Sequence, residues 1–446
     1  MSFMIAFSIA SVMMVLGVIL RAKVSFFRNM LVPASVIAGV LGFVFMNLFG
    51  SRFNIGTDAN MFTEIVNHMF TISFISISLT SAPKNNKASN VMRGALALGI
   101  IWCLLYALTP LLGALLLSVV GDAFGIDPIY GMMVQFGFCQ GPGQAATYGK
   151  IFENDGWANA ATVGMVFASV GFLVAFLVGI PAAKMGIKKG IAKHCGELDE
   201  VTLRGYLRKE EQNETMVKDT MVTSNVETLG FHFAIIGMCF LLAVGIGKAL
   251  SFVPGIGASL NGMMFMNGMY AAYIVKAVMK KLGVDYLLEN TLQSKITGWT
   301  SDYLVVCAFM AVSVQVISQW MLPILLVCAV TTAVTFFVCF YFGQRFGGDN
   351  DFERALGLYG TCCGTVPSGV SLVRIIDPNF HTATAVELGA CNLVMLLSTP
   401  VYILLLLLSN GTLGMPVVMA GLAVCVVVYL VLLKVCRLWG KKTWSW

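Results

Sequence analysis

The sequence predicts an all-α polytopic membrane protein with an inverted-topology repeat: five spans plus a re-entrant hairpin in each half, and one extra C-terminal span. Three observations predict this class. The chain has 446 residues, of which 58% are hydrophobic and only 11% charged, whereas soluble domains carry roughly 25% charged residues. A glycine–proline motif interrupts an apolar stretch once in each half. Short motifs around these two interruptions recur in the same order.

The spans are predicted from apolar stretches of about 20 residues, the length that crosses a bilayer as a helix. In the first half the stretches are 4–20, 31–49, 61–82, 93–120 and 157–184. In the second half they are 230–250, 258–279, 299–317, 320–343 and 380–408, and the extra span is 415–436. Two further stretches, 128–150 and 352–375, hold the glycine–proline interruptions and are predicted to be re-entrant hairpins.

These stretches divide the chain into four parts. An N-terminal repeat, 1–186, contains the re-entrant loop 128–150, and a C-terminal repeat, 230–410, contains the re-entrant loop 352–375. A polar cytoplasmic linker, 187–229, separates them. Residues 411–446 form the extra helix and a cytoplasmic tail.

Charge predicts the orientation in the membrane. With the N-terminus outside and the C-terminus cytoplasmic, only Arg52, Lys150 and Lys248 among the 28 Lys and Arg residues fall outside. This distribution follows the positive-inside rule. The net charge of +6 therefore needs no nucleic acid as a partner, and the expected surroundings are a lipid bilayer.

Paired residues indicate the repeat. Asp127 corresponds to Asp351 before each hairpin, and Pro110 corresponds to Pro323 in the fourth span of each half. Five spans are an odd number, so the second copy is predicted to sit upside down relative to the first. The two hairpins would then enter from opposite faces and meet near the midplane, which is typical of secondary transporters.

The hairpin tips are the candidate binding site, because irregular backbone at membrane depth is tolerated only where it lines a cavity or is buried in protein. Proline suits the first turn of a helix, and a helix N-terminus with free N–H groups attracts anions. Carbonyl groups before each break are candidate sodium ligands. The predicted substrate ligands are Gln140, Pro142, Gly143, Gln144, Thr147, Thr365, Ser368, Gly369, Ser371 and Arg374. The predicted sodium ligands are Gly141, Gly364, Ser78, Thr80 and Asn392.

Several of these residues have a plain structural alternative. Small residues at the tips can serve packing alone, and Arg374 can be a snorkelling anchor at the cytoplasmic surface. Hydroxyls such as those of Ser78 and Thr80 can bond back to their own helix. Glu387, inside an apolar span, is a possible coupling group for protons or cations, or the structural partner of a polar side chain such as Asn392.

Other classes of protein find little support. The 12 cysteines lie mostly in apolar runs, and no CxxC or HExxH motif occurs, so we expect no cofactor other than a coupling ion. The histidines show no spacing typical of a metal or catalytic site; they are His68, His194, His232 and His381. A passive channel is the remaining alternative, but channels usually build their filters from symmetric subunits.

The hairpin sequences resemble a known family. Residues 140–152, QGPGQAATYGKIF, and 159–165, NAATVGM, resemble the first glycine-rich re-entrant loop and the following helix of the bacterial glutamate:sodium symporter family. Residues 360–369 resemble its second re-entrant loop, and 372–380, LVRIIDPNF, look like a divergent branch of the family.

The resemblance implies sodium-coupled symport of glutamate, or of a related small carboxylate or amino acid, by an elevator-like movement. It also implies a homodimer in the bacterial inner membrane. The chain departs from the family at Pro142, where these carriers usually have a histidine, and in its extra span. A proton-coupled or exchange transporter of another organic anion therefore stays open as the alternative.

Overall fold

A computed structural model describes residues 3–29, 32–50, 59–80, 88–194, 220–221, 226–254, 257–314, 318–378 and 381–445. Within these ranges the fold consists of helices and connecting turns. The helices of the first half are α1 (Phe3–Lys23), α2 (Ser25–Asn29), α3 (Ala34–Phe49), α4 (Ala59–Leu79), α5 (Ala88–Val120), α6 (Ile129–Met132), α7 (Val134–Phe138), α8 (Pro142–Asn154) and α9 (Ala160–Lys188).

The second half continues the all-helical architecture. Its helices are α10 (Thr228–Leu250), α11 (Gly257–Gly262), α12 (Met264–Lys281), α13 (Asn290–Met310), α14 (Met321–Gly343), α15 (Asp351–Cys363), α16 (Val366–Ile376), α17 (Thr384–Ala390), α18 (Thr399–Ser409) and α19 (Met415–Val435). The all-α prediction is confirmed for the described residues. Most of the predicted linker, 187–229, lies outside them.

Seven helices in the described part are long and apolar enough to cross a membrane. They are Phe3–Lys23, Met61–Leu79, Val91–Phe124, Ala160–Lys188, Thr228–Leu250, Ser318–Gly343 and Met415–Val435. An eighth span results if the bent pair Thr384–Ala390 and Val394–Ser409 is one helix. The chain is therefore a multi-pass membrane protein.

Three predicted spans differ from this set. The stretches 31–49, 258–279 and 299–317 correspond to α3, α12 and α13, which are helical but shorter or less apolar than the seven. Helix α13 begins at Asn290, well before the predicted 299, because its first turns are polar and are capped by the Glu289 carboxylate, which accepts from the Leu292 N–H at 2.7 Å.

The helices pack as two groups. In the first group α1, α3, α4 and α10 to α13 contact one another, and in the second group α5 to α9 pack with α14 to α19. The groups meet where α8 packs against α4, α11 and α13, and where α9 packs against α13. Both glycine–proline breaks belong to the second group.

The extra helix α19 packs on α5 and α18 within the second group. Its tail then crosses the turn between α14 and α15: the Gly440 N–H donates to the Arg345 carbonyl at 2.9 Å, and the Thr443 hydroxyl donates to Asp351 at 2.8 Å. The added segment is thereby joined to the start of the helix that leads into the second break.

Candidate functional site

The two glycine–proline breaks lie in contact with each other. A β-carbon placed on Gly141, in the first break, would lie 2.5 Å from Cγ2 of Thr365 and 3.1 Å from the carbonyl oxygen of Gly364, both in the second break. Contacts this short leave no room for a side chain, so the two backbones approach as closely as glycine permits. The two motifs therefore meet at one place in the fold.

The first break depends on the conformation of Gly141. Its φ of 80° and ψ of −174° lie in a region that residues with a β-carbon essentially do not adopt. This bend ends α7 and allows α8 to begin at Pro142, with proline in the first turn and no side chain capping the helix. The free N–H groups of the first turn of α8 are thereby placed at the break.

The second break repeats this arrangement. Helix α15 ends at Cys363, and α16 begins at Val366 after the extended residue Thr365, again with proline in the first turn and no side-chain cap. Two helix N-termini, each with a partial positive charge, thus flank one contact. This arrangement suits a small anion.

A buried polar triad holds the start of α8. The Tyr106 hydroxyl donates to Oε1 of Gln144 at 2.7 Å, and Nε2 of Gln144 donates to the Tyr402 hydroxyl at 3.0 Å. The Gln144 residue is only 2% exposed. The Gln144 amide is therefore bonded to tyrosines from α5 and α18. Its role in this arrangement is to position the first break.

The first break also touches the first group of helices. The Thr147 hydroxyl lies 3.0 Å from Oδ1 of Asn67 on α4 and 2.9 Å from the Gly143 carbonyl. A β-carbon on Gly143 would overlap the ring of Phe70, also on α4. The Phe70 ring packs at 5.0 Å from Phe265 of α12, so an aromatic cluster covers this side of the break.

The hydroxyls after the second break differ in availability. Ser368 is buried, and its Oγ would lie 2.8 Å from a β-carbon on Gly364, so it lies at the break. The Ser371 hydroxyl instead donates to the Pro367 carbonyl at 2.8 Å. Gly369 serves the packing of α16 on α15, because a β-carbon there would overlap the Gly357 carbonyl.

An ion pair closes the base of the second hairpin, far from the break. Arg354 of α15 donates to both oxygens of Glu387 on α17, at 2.7 and 2.5 Å, and to Asp351 at 3.2 Å. A cavity of about 420 Å³ lies beside this pair. The ten residues from Arg354 to Gly364 span about 15 Å of helix, so this cavity is distinct from the contact between the breaks.

A comparison with known families identifies the chain. The model of the sodium/glutamate symporter family matches residues 1–382. The chain belongs to the sodium/glutamate symporter family. The match includes both breaks and ends before α17, so α17 to α19 lie beyond it. No curated protein sequence matches the chain.

Two of the predicted sodium ligands lie away from the breaks. Ser78 is eight residues beyond Phe70 on α4, about 12 Å along the helix. The Thr80 hydroxyl bonds back to the Ser76 carbonyl at 3.0 Å, and Asn392 donates to the Gly389 carbonyl at 3.0 Å. Ser78 and Thr80 therefore lie away from the contact, and the Asn392 amide is bonded within its own helical segment. Gly141 and Gly364, in contrast, meet at the contact.

The structure also places four other residues of the predicted site. Arg374 is exposed and lies near the end of α16, about 12 Å along the helix from its start. Glu387 has its charge partner in Arg354, not in Asn392. Gln140 is half-buried and Pro142 is buried at the first break.

Sequence reasoning missed Tyr106, Tyr402, Asn67 and Arg354. A signal existed for the tyrosines, since a tyrosine hydroxyl within an apolar span needs a partner, but it does not say which partner. In the described part of the chain, no group of three or more His, Cys, Asp or Glu side chains is placed to hold a metal ion.

Proposed function

We propose that the protein is a sodium-coupled symporter of glutamate or a related small carboxylate, which binds where the two breaks touch. The observation that carries this proposal is the contact of Gly141 with Gly364 and Thr365 in a chain of this family. The N–H groups at the two helix N-termini and the hydroxyl groups of Thr365 and Ser368 would bind the carboxylate.

The proposed movement is elevator-like alternating access. The division into two groups of helices supports it, because the second group holds both breaks and the first offers α4, α12 and α13 as a surface to move against. The inverted repeat and the membrane depth of both hairpins are parts of this proposal. So are the homodimer, the bacterial inner membrane, the outside N-terminus and the cytoplasmic C-terminus.

Proton coupling through Glu387 gains no support. Its carboxylate is 1% exposed and held by two charge-assisted bonds from Arg354. Both carboxylate oxygens are thus occupied by the guanidinium of one arginine, as in a structural ion pair. A Glu387→Gln variant that keeps full sodium-driven uptake would exclude this residue as the proton carrier.

Glutamate binding to the purified protein tests the site. In saturating sodium, calorimetry should show that Thr365→Val and Ser368→Ala each weaken glutamate binding about tenfold, the loss of a hydrogen bond to a charged group. Ser371→Ala is the matched control, because that hydroxyl is occupied by the Pro367 carbonyl. Equal affinities in all four proteins would contradict the placement of the substrate.

A further inference from the structure

Glu353, in the first turn of α15, carries a buried carboxyl group without a hydrogen-bond partner. The residue is 1% exposed, and neither of its carboxyl oxygens has a partner in the part of the chain that the structure describes. Its neighbour in the sequence, Arg354, does not pair with it, because that guanidinium bonds to Glu387 and Asp351. An unpaired buried charge is very costly, so this group calls for an explanation.

The two helices of the second hairpin, α15 and α16, lie against each other in a register that close contacts define. A β-carbon on Gly357 of α15 would lie 2.8 Å from Cγ2 of Val373 on α16. Nearer the break, a β-carbon on Gly360 would lie 2.9 Å from Cα of Gly369. A step towards the break along α15 thus corresponds to a step back along α16. The helices are therefore antiparallel, with Gly357 opposite Val373.

This register places Glu353 opposite Asp377. Glu353 is one helical turn before Gly357, and Asp377 is one turn after Val373, so each lies on the face that makes the contact. Asp377 still belongs to the last turn of α16, since its N–H donates to the Val373 carbonyl at 2.8 Å. The electrostatic influence of Asp377 on Glu353 agrees with this placement.

The two acidic side chains differ in their partners. Asp377 is 0% exposed, and its oxygens accept hydrogen bonds from the N–H groups of His381 and Thr382 and from the Thr382 hydroxyl, each at 2.8 Å. Glu353 has no such donor among the described residues. Burial disfavours the charged form of a carboxyl group, and a second carboxylate beside it disfavours that form further.

The charged groups nearest to this pair of acids are bonded elsewhere. Lys193, which follows α9, lies 3.8 Å from Asp349, and its side chain is 64% exposed. On α17, Glu387 is bonded to Arg354. Asp351 accepts hydrogen bonds from the tail that follows α19 and from the turn that precedes α15.

The other helices that pack on α15 add no counter-charge to Glu353. Helices α7 and α14 contain no Asp, Glu, Lys, Arg or His residue. Helix α5 contains one charged residue, Arg93, which donates to the Arg437 carbonyl at 3.3 Å. Lys184 and Lys188 of α9 and Arg374 of α16 are exposed.

We propose that Glu353 is a proton-binding site, and that one proton bound there keeps the base of the second hairpin closed. A neutral carboxyl group can lie beside Asp377 in buried surroundings at a much lower cost than a second negative charge. Loss of the proton would set two like charges against each other across α15 and α16. Glu353 lies about 16 Å along α15 from Gly364, so the proton acts on the hairpin and not at the substrate contact. The inference goes beyond the proposed function, because it does not depend on the substrate.

Thermal unfolding of the purified full-length protein tests the site over a range from about pH 5 to about pH 9, which lies above the ordinary glutamate pKa of about 4.3. Wild type is compared with Glu353→Gln, which resembles the neutral acid but cannot ionise. In this range Glu353 loses its proton in the unfolded chain and retains it in the folded protein, so wild-type stability should fall as the pH rises. Relative to Glu353→Gln, the unfolding equilibrium constant of wild type should increase about tenfold per pH unit until the folded protein also releases the proton.

Two further measurements distinguish a bound proton from packing. Glu64→Gln is the matched control, because its side chain is 44% exposed and lies 3.6 Å from Lys150; its melting temperature should follow wild type at every pH. The infrared absorption of a protonated carboxyl group gives a readout that packing does not change. It should be present in wild type at neutral pH and weaker in Glu353→Gln.

Parallel pH profiles of wild type and Glu353→Gln would overturn the proposal, since every other titratable group is present in both proteins. A metal cation in place of the proton would also overturn it. That result would appear as stabilisation of wild type, but not of Glu353→Gln, by sodium chloride over choline chloride at the upper end of the pH range.

Discussion

At the scale of single residues, Gly141 decides whether the two breaks can touch. Two constraints apply at this position: the backbone conformation is one that only glycine adopts readily, and Thr365 fills the space where a β-carbon would lie. Any other residue would conflict with both constraints. The position therefore links the geometry of the first hairpin to the ligands of the second.

A pair of alanine substitutions separates these two constraints. Gly141→Ala and Gly156→Ala both place a β-carbon on a positive φ, but nothing lies within 4 Å at Gly156. Backbone strain should lower the stability of both by about 1–3 kcal/mol, measured by thermal unfolding. Only Gly141→Ala should lose glutamate uptake; a similar loss in Gly156→Ala would show that strain alone is responsible.

The Gln144 triad makes a second prediction at this scale. Tyr402→Phe removes the hydroxyl that accepts from Gln144, and an unpaired buried amide costs about 1–3 kcal/mol. We expect lower thermal stability together with weaker glutamate binding by calorimetry. Tyr429→Phe is the control, since it removes a hydroxyl that donates to the Leu397 carbonyl at 2.7 Å away from the breaks. It should lose stability without losing affinity.

At the scale of elements, the sequence predicted most helices and the starts of α8 and α16. Glycine and proline have local effects, so the motifs determine where α7 and α15 end. Tertiary partners depend on residues that are distant in the sequence. No residue near Glu387 in the sequence indicates that Arg354 is its partner, so Asn392, which is closer in the sequence, was the predicted partner. Likewise, Ser78 and Thr80 are polar groups in an apolar helix, but only packing shows that α4 lies against α12, where Lys276 donates to the Thr80 carbonyl at 2.6 Å.

Helix α5 approaches α17 so closely that Gly94 should be essential at this crossing. A β-carbon on Gly94 would overlap the Glu387 carboxylate and displace it from Arg354. Breaking a buried ion pair costs about 3–5 kcal/mol, so Gly94→Ala should unfold at a markedly lower temperature. Gly245→Ala on α10, with nothing within 4 Å, should leave the melting temperature nearly unchanged. Equal melting temperatures would contradict the close crossing.

At the scale of the whole molecule, the family match and the two groups of helices agree with a carrier. The ordered repeat predicted that the two tips belong to one site, and the structure places them in contact. The inverted topology and the elevator-like movement stay predictions.

A cross-link between the two groups tests the movement. The side-chain oxygens of Asn67 and Thr147 lie 3.0 Å apart, so cysteines at both positions should form a disulfide that joins α4 to α8. If the groups slide past each other, oxidation should abolish uptake and a reductant should restore it, while oxidised wild type serves as the control. Full uptake by the cross-linked protein would contradict the elevator-like movement.

The central claim is sodium-coupled transport, and uptake by the purified protein in liposomes tests it most directly. Labelled glutamate is supplied outside, with an inward sodium gradient or with choline in its place. The account predicts accumulation above the outside concentration with sodium and none with choline. Accumulation of glutamate without sodium would contradict this account. So would the absence of accumulation of glutamate and of every related carboxylate under any ion gradient.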